Sequence, residues 1–209
     1  MKRDNKGFSL IELIVIIAIL AILVGTVGAN LGLIKKYNAK ECRQMIYSSL
    51  ESGRLISLSK SGGGTTTEDT QTFLSFFYNP SDGCNYYAIV VEGEVTDVKK
   101  ISKNGVKIYF GASNEAANAS AITGFTCLTS YSLGSMPKNM SINKITDDLT
   151  NEIIDNGYRI AYNRATGGFL KDGSGNINLS IYAVAGKYYY PVYLYPGTGK
   201  TKVGNVIYG

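Results

Sequence analysis

Glu12 makes the greatest chemical demand in this sequence. It is the one ionisable side chain in FSLIELIVIIAILAILVGTVGANLGLI, residues 8–34. A carboxylate held in hydrocarbon costs about 2.5–3.5 kcal/mol at mid-membrane, less near the interface, and is usually paired where it occurs. No lysine or arginine lies within 8–34, so a basic partner for Glu12 must come from elsewhere. Other reactive side chains are sparse. The chain has no histidine, which removes Ser-His-Asp and Cys-His nucleophiles and the commonest metal ligand. Cys42, Cys84 and Cys127 form no CxxC pair, so a zinc site is not expected. An odd cysteine count leaves three ways to form one disulfide. Cys84 with Cys127 is the favoured pairing, because Cys42 falls on an apolar helix face and reads as core.

Two loops imitate ligand sites. Pro196-Gly197-Thr198-Gly199-Lys200-Thr201 looks like the end of a phosphate loop, but Leu194 stands where the first glycine is needed. A strand-like run follows it instead of a helix N-terminus. Asp172-Gly173-Ser174-Gly175-Asn176 spaces oxygen ligands as a calcium loop does, yet Ile177 takes the place of the turn glycine and no closing glutamate follows. Both read as turns. The matches to the N-glycosylation pattern at Asn118, Asn139 and Asn178 are short enough to arise by chance. Asp147 and Asp148 read as acidic residues favoured at a helix start. No catalytic constellation, cofactor site or metal site is expected, and the chain is not read as an enzyme.

The residues around Glu12 carry a resemblance. A short hydrophilic leader with Lys2, Arg3 and Lys6 against Asp4 precedes Lys6-Gly7-Phe8-Ser9-Leu10-Ile11-Glu12-Leu13, and an apolar helix follows. This resembles the class III leader of type IV pilins and type II secretion pseudopilins. The resemblance implies that a prepilin peptidase cuts between Gly7 and Phe8 on the cytoplasmic side and methylates Phe8 as the new N-terminus. It implies that Glu12 then pairs with the N-terminal amine of an adjacent subunit during filament assembly. Opposite charges in low dielectric offset each other's desolvation, whereas either alone is costly. Many members of that family carry a proline in the membrane helix. Here the span is proline-free, and Gly25, Gly28 and Gly32 stand in it instead.

The elements that must position Glu12 follow from pattern. Residues 13–34 make a helix of about 33 Å, enough to cross a hydrocarbon core of about 30 Å. The run is too long for an ordinary secretory signal and lacks a good small-residue cleavage site. Basic residues ahead of it hold the leader in the cytoplasm and the bulk of the chain outside. Each glycine weakens the helix by about 1 kcal/mol relative to alanine, and Gly28 to Gly32 is a small-xxx-small match that permits close helix packing.

No proline interrupts 35–60 either. Ala39, Cys42, Met45, Ile46, Ser49, Leu50, Gly53 and Ile56 share one face there, with Lys40, Arg43, Gln44, Tyr47, Glu51 and Arg54 largely opposite. Leu55 and Leu58, nearer the polar side, are candidates for contact with a neighbouring subunit. The chain thus divides into a leader (1–7), a transmembrane and assembly helix (8–34), its amphipathic continuation (35–60) and a globular α+β head (61–209).

Within the head, 61–72 is a polar linker and 73–78 a dense apolar patch, strand or short helix. Strands are expected at 86–91, 95–101 and 106–110, with Asn104-Gly105 as a hairpin signal between the last two. Residues 113–122 read as loop or short helix, 125–133 as a strand and 147–155 as a short helix. Residues 158–162, 177–185, 188–195 and 202–207 read as a tyrosine-rich antiparallel meander covered by the amphipathic half-helix. Pro191 is expected at an edge or a bulge. The fold class is therefore α+β, a long N-terminal helix packed on an antiparallel sheet.

Composition sets the functional alternatives. The net charge is +5 and falls to +3 without residues 1–7, too mild to predict nucleic-acid binding. A structural filament subunit leads: membrane-held, single-pass, with its C-terminus outside, then assembled with copies of itself or with other pilins at the cell surface. The alternative is a membrane-anchored binding module, such as a minor tip pilin for adhesion or DNA uptake, whose sheet tyrosines contact a surface. Tyrosines in sheets more often pack than bind.

Overall fold

The computed structural model describes residues 9–60, 72–102, 105–112, 125–134, 136–170 and 179–209, excepting the side chains of 27–31 and 170. One helix, α1, runs from Leu10 to Ser59. Its 50 residues span about 75 Å at the helical rise. Absence of proline lets it run unbroken from the apolar half into the amphipathic half. The head follows from Thr72 onward, and the expected linker 61–72 lies, but for Thr72, outside the described residues.

The fold is α+β, with α1 packed against antiparallel sheets. There are two sheets rather than one. The first has β1 (Thr72–Asn79), β2 (Cys84–Val91), β3 (Glu94–Lys100), β6 (Tyr158–Tyr162) and β7 (Phe169–Leu170), in the order β3-β2-β1-β6-β7. The second has β4 (Lys107–Ala112), β5 (Thr126–Cys127), β8 (Leu179–Ala185), β9 (Tyr188–Tyr195) and β10 (Lys200–Val203), in the order β10-β9-β8-β4-β5. A short β11 (Ile207–Tyr208) also pairs with β9.

Several expectations are corrected. Asn104-Gly105 does not close a hairpin. β3 ends in the first sheet while β4 begins in the second, with Lys107 opposite Val184. Strand β6 leaves the expected C-terminal meander and pairs with β1, Leu74 opposite Ile160. The reason is burial on both faces of β1. Leu74 and Phe76 point into the core beneath α1, and Phe77 points into a second core on the opposite face. A central strand of that kind needs a partner on each side, and β2 and β6 supply them. The dense patch at 73–78 is a strand for the same reason. Of the expected strand 125–133, Thr126–Cys127 forms a short strand; a 3-10 turn at Leu128–Tyr131 follows and seats Leu128 in the main core, and Ser132 then makes a single parallel bridge to Tyr78. The region 113–122 lies outside the described residues.

Pro191 lies in β9, which is central rather than an edge. Its missing N–H points toward β10 and β11, where the ladder is broken. β10 ends at Val203 opposite Val192, β11 resumes at Ile207 opposite Tyr189, and only the Gly204 N–H reaches the Pro191 carbonyl, at 3.1 Å. A proline fits there because no donor is required of it.

The main core lies between α1 and the two sheets. Ala39, Cys42, Ile46 and Leu50 of α1 meet Leu74, Phe76, Ile108, Ile181, Val192 and Leu194. Phe76 and Phe110 join the sheets, their ring centroids 5.7 Å apart. Gly53 lets β1 and β6 approach the helix: a Cβ there would stand 2.9 Å from the Leu74 side chain and 3.0 Å from the Tyr162 ring. The Tyr162 hydroxyl, fully buried, donates to the Leu50 carbonyl at 2.8 Å. A smaller core on the far face of the first sheet is closed by α2 (Asp147–Asn156) through Leu149 and Ile153. Thr146 caps α2, and Asp147 and Asp148 sit in its first turn, as expected of acidic residues at a helix start.

The expected Cys84–Cys127 disulfide is not formed. Cys84 opens β2 in the first sheet, where its thiol donates to the Asp82 carbonyl at 3.2 Å. Cys127 lies opposite Tyr109 in the second sheet. The two strands belong to different sheets, so no short bridge joins the side chains. Cys42 is core, and burial raises its thiol pKa far above the ordinary range, with Glu41 adding to the effect. A protonated, buried thiol is a poor nucleophile. We expect a maleimide to label half-buried Cys127 in the native chain, and Cys42 and Cys84 only after denaturation. Absence of Cys127 labelling until a reductant is added would restore the disulfide.

Candidate assembly site

The helix start is built by its own sequence. Ser9 is the N-cap of α1, with extended backbone, and its side-chain oxygen accepts the Glu12 N–H at 3.3 Å. The Ser9 N–H donates to Glu12 Oε2 at 2.9 Å. This reciprocal pair is a capping box, which satisfies two donors that a helix start otherwise leaves open. Ser9-Leu10-Ile11-Glu12 carries the S-x-x-E pattern in the sequence itself, so the motif is legible there. The cap has a chemical consequence. It turns the carboxylate back toward the chain start and engages one oxygen there, while a carboxylate has capacity to accept further donors.

Gly7 and Phe8, the expected cleavage and methylation positions, lie outside the described residues. Glu12 is exposed, and so is every described residue from Ser9 to Thr26. Leu10 is 77% exposed, Ile11 70% and Val24 71%, so residues 10–26 present hydrocarbon on all sides. A helix apolar all round requires an apolar environment or neighbours. Among the described residues no helix is long and apolar enough to cross a membrane. The side chains of 27–31, within the expected 13–34 span, lie outside that description.

The lower half of α1 is held differently. The face expected to be buried is buried, with Ala39, Cys42, Ile46, Ser49, Leu50 and Gly53 enclosed. Part of the face expected to be polar is engaged as well. Arg43 Nη1 donates to the Gly204 carbonyl at 3.0 Å and the guanidinium lies 5.2 Å over the Tyr190 ring. Thr201 Oγ1 donates to Glu51 Oε1. These contacts join α1 to β9, to β10 and to the β10–β11 break, which fixes the helix against the head. Leu55 is 64% exposed, whereas Leu58 is half-buried.

The two decoy loops differ in what can be said of them. The glycine-rich run at 196–199 is the β9–β10 turn, closed by the Gly199 N–H to the Tyr195 carbonyl at 2.9 Å, and a strand follows it. The Asp172–Asn176 run lies outside the described residues. Among the described residues no group of three His, Cys, Asp or Glu side chains could hold a metal ion. The sheet tyrosines are largely consumed by packing: Tyr86, Tyr162, Tyr182, Tyr190 and Tyr193 are all buried.

Against this geometry, residues 2–28 match the family model of the prokaryotic N-terminal methylation motif. The chain therefore carries the class III leader of prepilins, consistent with the type IV pilin and pseudopilin family. The match takes in Gly7, Phe8, Ser9 and Glu12 and stops ahead of the head. No curated protein and no solved structure matches the chain.

Proposed function

We propose that the chain is a prepilin, cut between Gly7 and Phe8, methylated on Phe8 and assembled through α1 into a type IV pilus or pseudopilus. Before assembly it is held in the cytoplasmic membrane by 8–34, with the head outside. The basic leader is expected to stay inside, but Lys35, Lys36 and Lys40 follow the apolar run as well, so the charge of Lys2, Arg3 and Lys6 is not by itself enough to set the direction. The leader does, because the peptidase that reads it works on the cytoplasmic face. The observation that carries this reading is Glu12: an exposed carboxylate at the head of an apolar helix, oriented by Ser9 toward the chain start.

In a filament the partner of Glu12 is the methylated amine of a neighbouring subunit. The capping box leaves that pairing open, and it survives processing because Ser9 and Glu12 both lie beyond the cut. The apolar sides of 10–34 then pack on neighbouring helices instead of lipid.

Processing is the direct test. Mass spectrometry of the chain from cells that assemble filaments should show a first residue of Phe8 carrying one added methyl group. Gly7→Ala should leave the head folded, because the two cores of the head are built by residues from Ala39 onward, yet the uncut chain should accumulate. A mature chain that begins at Met1, or inside 29–32, sinks the reading.

A further inference from the structure

The junction between the two halves of α1 carries a basic, aromatic collar. Strand β9 runs beside α1 in the same direction. Lys36 lies by Tyr188, Arg43 by Tyr190, and Glu51 by Thr201, which is opposite Leu194. The β8–β9 turn at Gly186 and Lys187 is therefore the end of the second sheet nearest the apolar half-helix. There the ammonium groups of Lys36 and Lys187 converge on one ring, Tyr188, at 5.5 and 5.9 Å from its centroid. Tyr208 meets the same ring edge-on at 5.7 Å, and the Gly209 N–H donates to the Lys187 carbonyl at 2.9 Å.

Beside this cluster lies an open groove of about 460 Å3 lined by Leu33, Ile34, Lys36, Tyr37, Lys40 and Tyr190. Tyr37 is 68% exposed and Tyr208 61%. Lys36 and Lys40 are like charges at i,i+4, which destabilise a helix in isolation. Among the described residues Lys35, Lys36, Lys40 and Lys187 form no ion pair. The side-chain carboxylate of α1 beside this cluster is Glu41, against Lys35, Lys36, Lys40 and Lys187, so the cluster keeps an excess of positive charge.

The geometry points to a lipid-headgroup site: the collar seats the unassembled subunit on the anionic outer surface of the membrane that holds 8–34. Three features agree on that occupant. The groove is continuous with the exposed apolar half of α1, where hydrocarbon must be covered. Its walls are apolar side chains and tyrosine rings, which prefer the level of the headgroups. Its rim is lysine, with the Lys36 and Lys187 amines gathered at the Tyr188 ring, and phosphate on an anionic lipid supplies the charge that the rim lacks. The site fixes the height and tilt of the head above the bilayer, and so the level at which Glu12 waits in the opposite interface. This inference rests on the membrane-held state proposed above.

The test uses the full chain reconstituted, head outward, in vesicles of phosphatidylcholine alone and of phosphatidylcholine mixed with phosphatidylglycerol. Lysines are acetylated from outside with an amine-reactive ester, and the rate at each is read by mass spectrometry. A basic residue at an anionic surface gains about 1 kcal/mol, which is about fivefold. Lys36, Lys40 and Lys187 should be acetylated about fivefold more slowly on the anionic vesicles, and added salt should remove the difference. Lys200, at the far end of the sheet beside the β9–β10 turn, should react equally on both. Equal rates for the three collar lysines on both vesicles, with the chain still floating with the lipid, overturn the headgroup site and leave the membrane-held state intact. A chain that floats with neither vesicle overturns both.

Discussion

Glu12→Ala is expected to reduce filament yield at least tenfold while leaving cleavage, membrane insertion and head folding unchanged. Two effects act at that position and their sizes differ. Loss of the capping box frays the first turn at a cost of about 0.5–2 kcal/mol. Loss of one member of a buried ion pair leaves the other charge unpaired, at about 3–5 kcal/mol. The second effect exists only in the filament and is the larger, so assembly should fail before the monomer does.

Glu12→Gln separates the two, because glutamine keeps a capping-box acceptor at that position but carries no charge. Both variants should therefore lose filaments, measured by shearing and microscopy, and both should remain at wild-type level or above in membrane-fraction immunoblots. The alanine variant also escapes the cost of placing a carboxylate in the membrane, so it should be no less abundant there. Normal filament numbers for Glu12→Gln with few for Glu12→Ala would assign Glu12 to the cap alone. Normal numbers for both would leave it without an assembly role.

Phe76→Ala should have the largest effect on the head. Phe76 is fully buried and meets Tyr87 of its own sheet and Phe110 of the second sheet, at 6.3 and 5.7 Å between centroids. Phe110 is in turn stacked on Tyr158 at 3.9 Å. Truncation removes the apolar contacts of the ring and opens a cavity at the point where the sheets join, at about 3–5 kcal/mol. Against a total stability of about 5–15 kcal/mol this is a large fraction. For a head of this size the melting temperature should fall by about 10 °C. Phe76→Leu keeps most of the volume and should cost less than about 1.5 kcal/mol. Thermal unfolding of the full chain in detergent, followed by near-UV circular dichroism of the tyrosines, measures both. A shift of only a degree or two for Phe76→Ala would mean that the sheets are not held together at this residue. In cells such a variant should be processed normally, as Glu12→Ala is, but unlike Glu12→Ala it should be degraded.

The sequence alone determined the long helix, its amphipathic half and the leader with Glu12, because each is written in local spacing. A 3.6-residue apolar period from Ala39 to Ile56, a proline-free run from Leu10 to Ser59 and a charge at a set distance from Gly7 need no distant partner to be read. The Ser9–Glu12 cap was legible in the same way, since both its residues lie within one turn. Most strands were legible too, from β-branched and tyrosine-rich runs between glycine turns.

Which strand pairs with which was not. Asn104-Gly105 has the chemistry of a hairpin turn, yet burial on both faces of β1 drew β6 to the first sheet, and β4 paired with β8 instead of β3. Cysteine pairing failed for the same reason, because Cys84 and Cys127 followed their strands into different sheets. The collar could not be read at all from the chain. Lys36 and Lys187 are far apart in sequence, and only the packing of β9 along α1 brings their amines to one tyrosine ring. Local periodicity is set by the backbone's own geometry, whereas strand partners and convergent charges are chosen by which surfaces the whole chain can bury together.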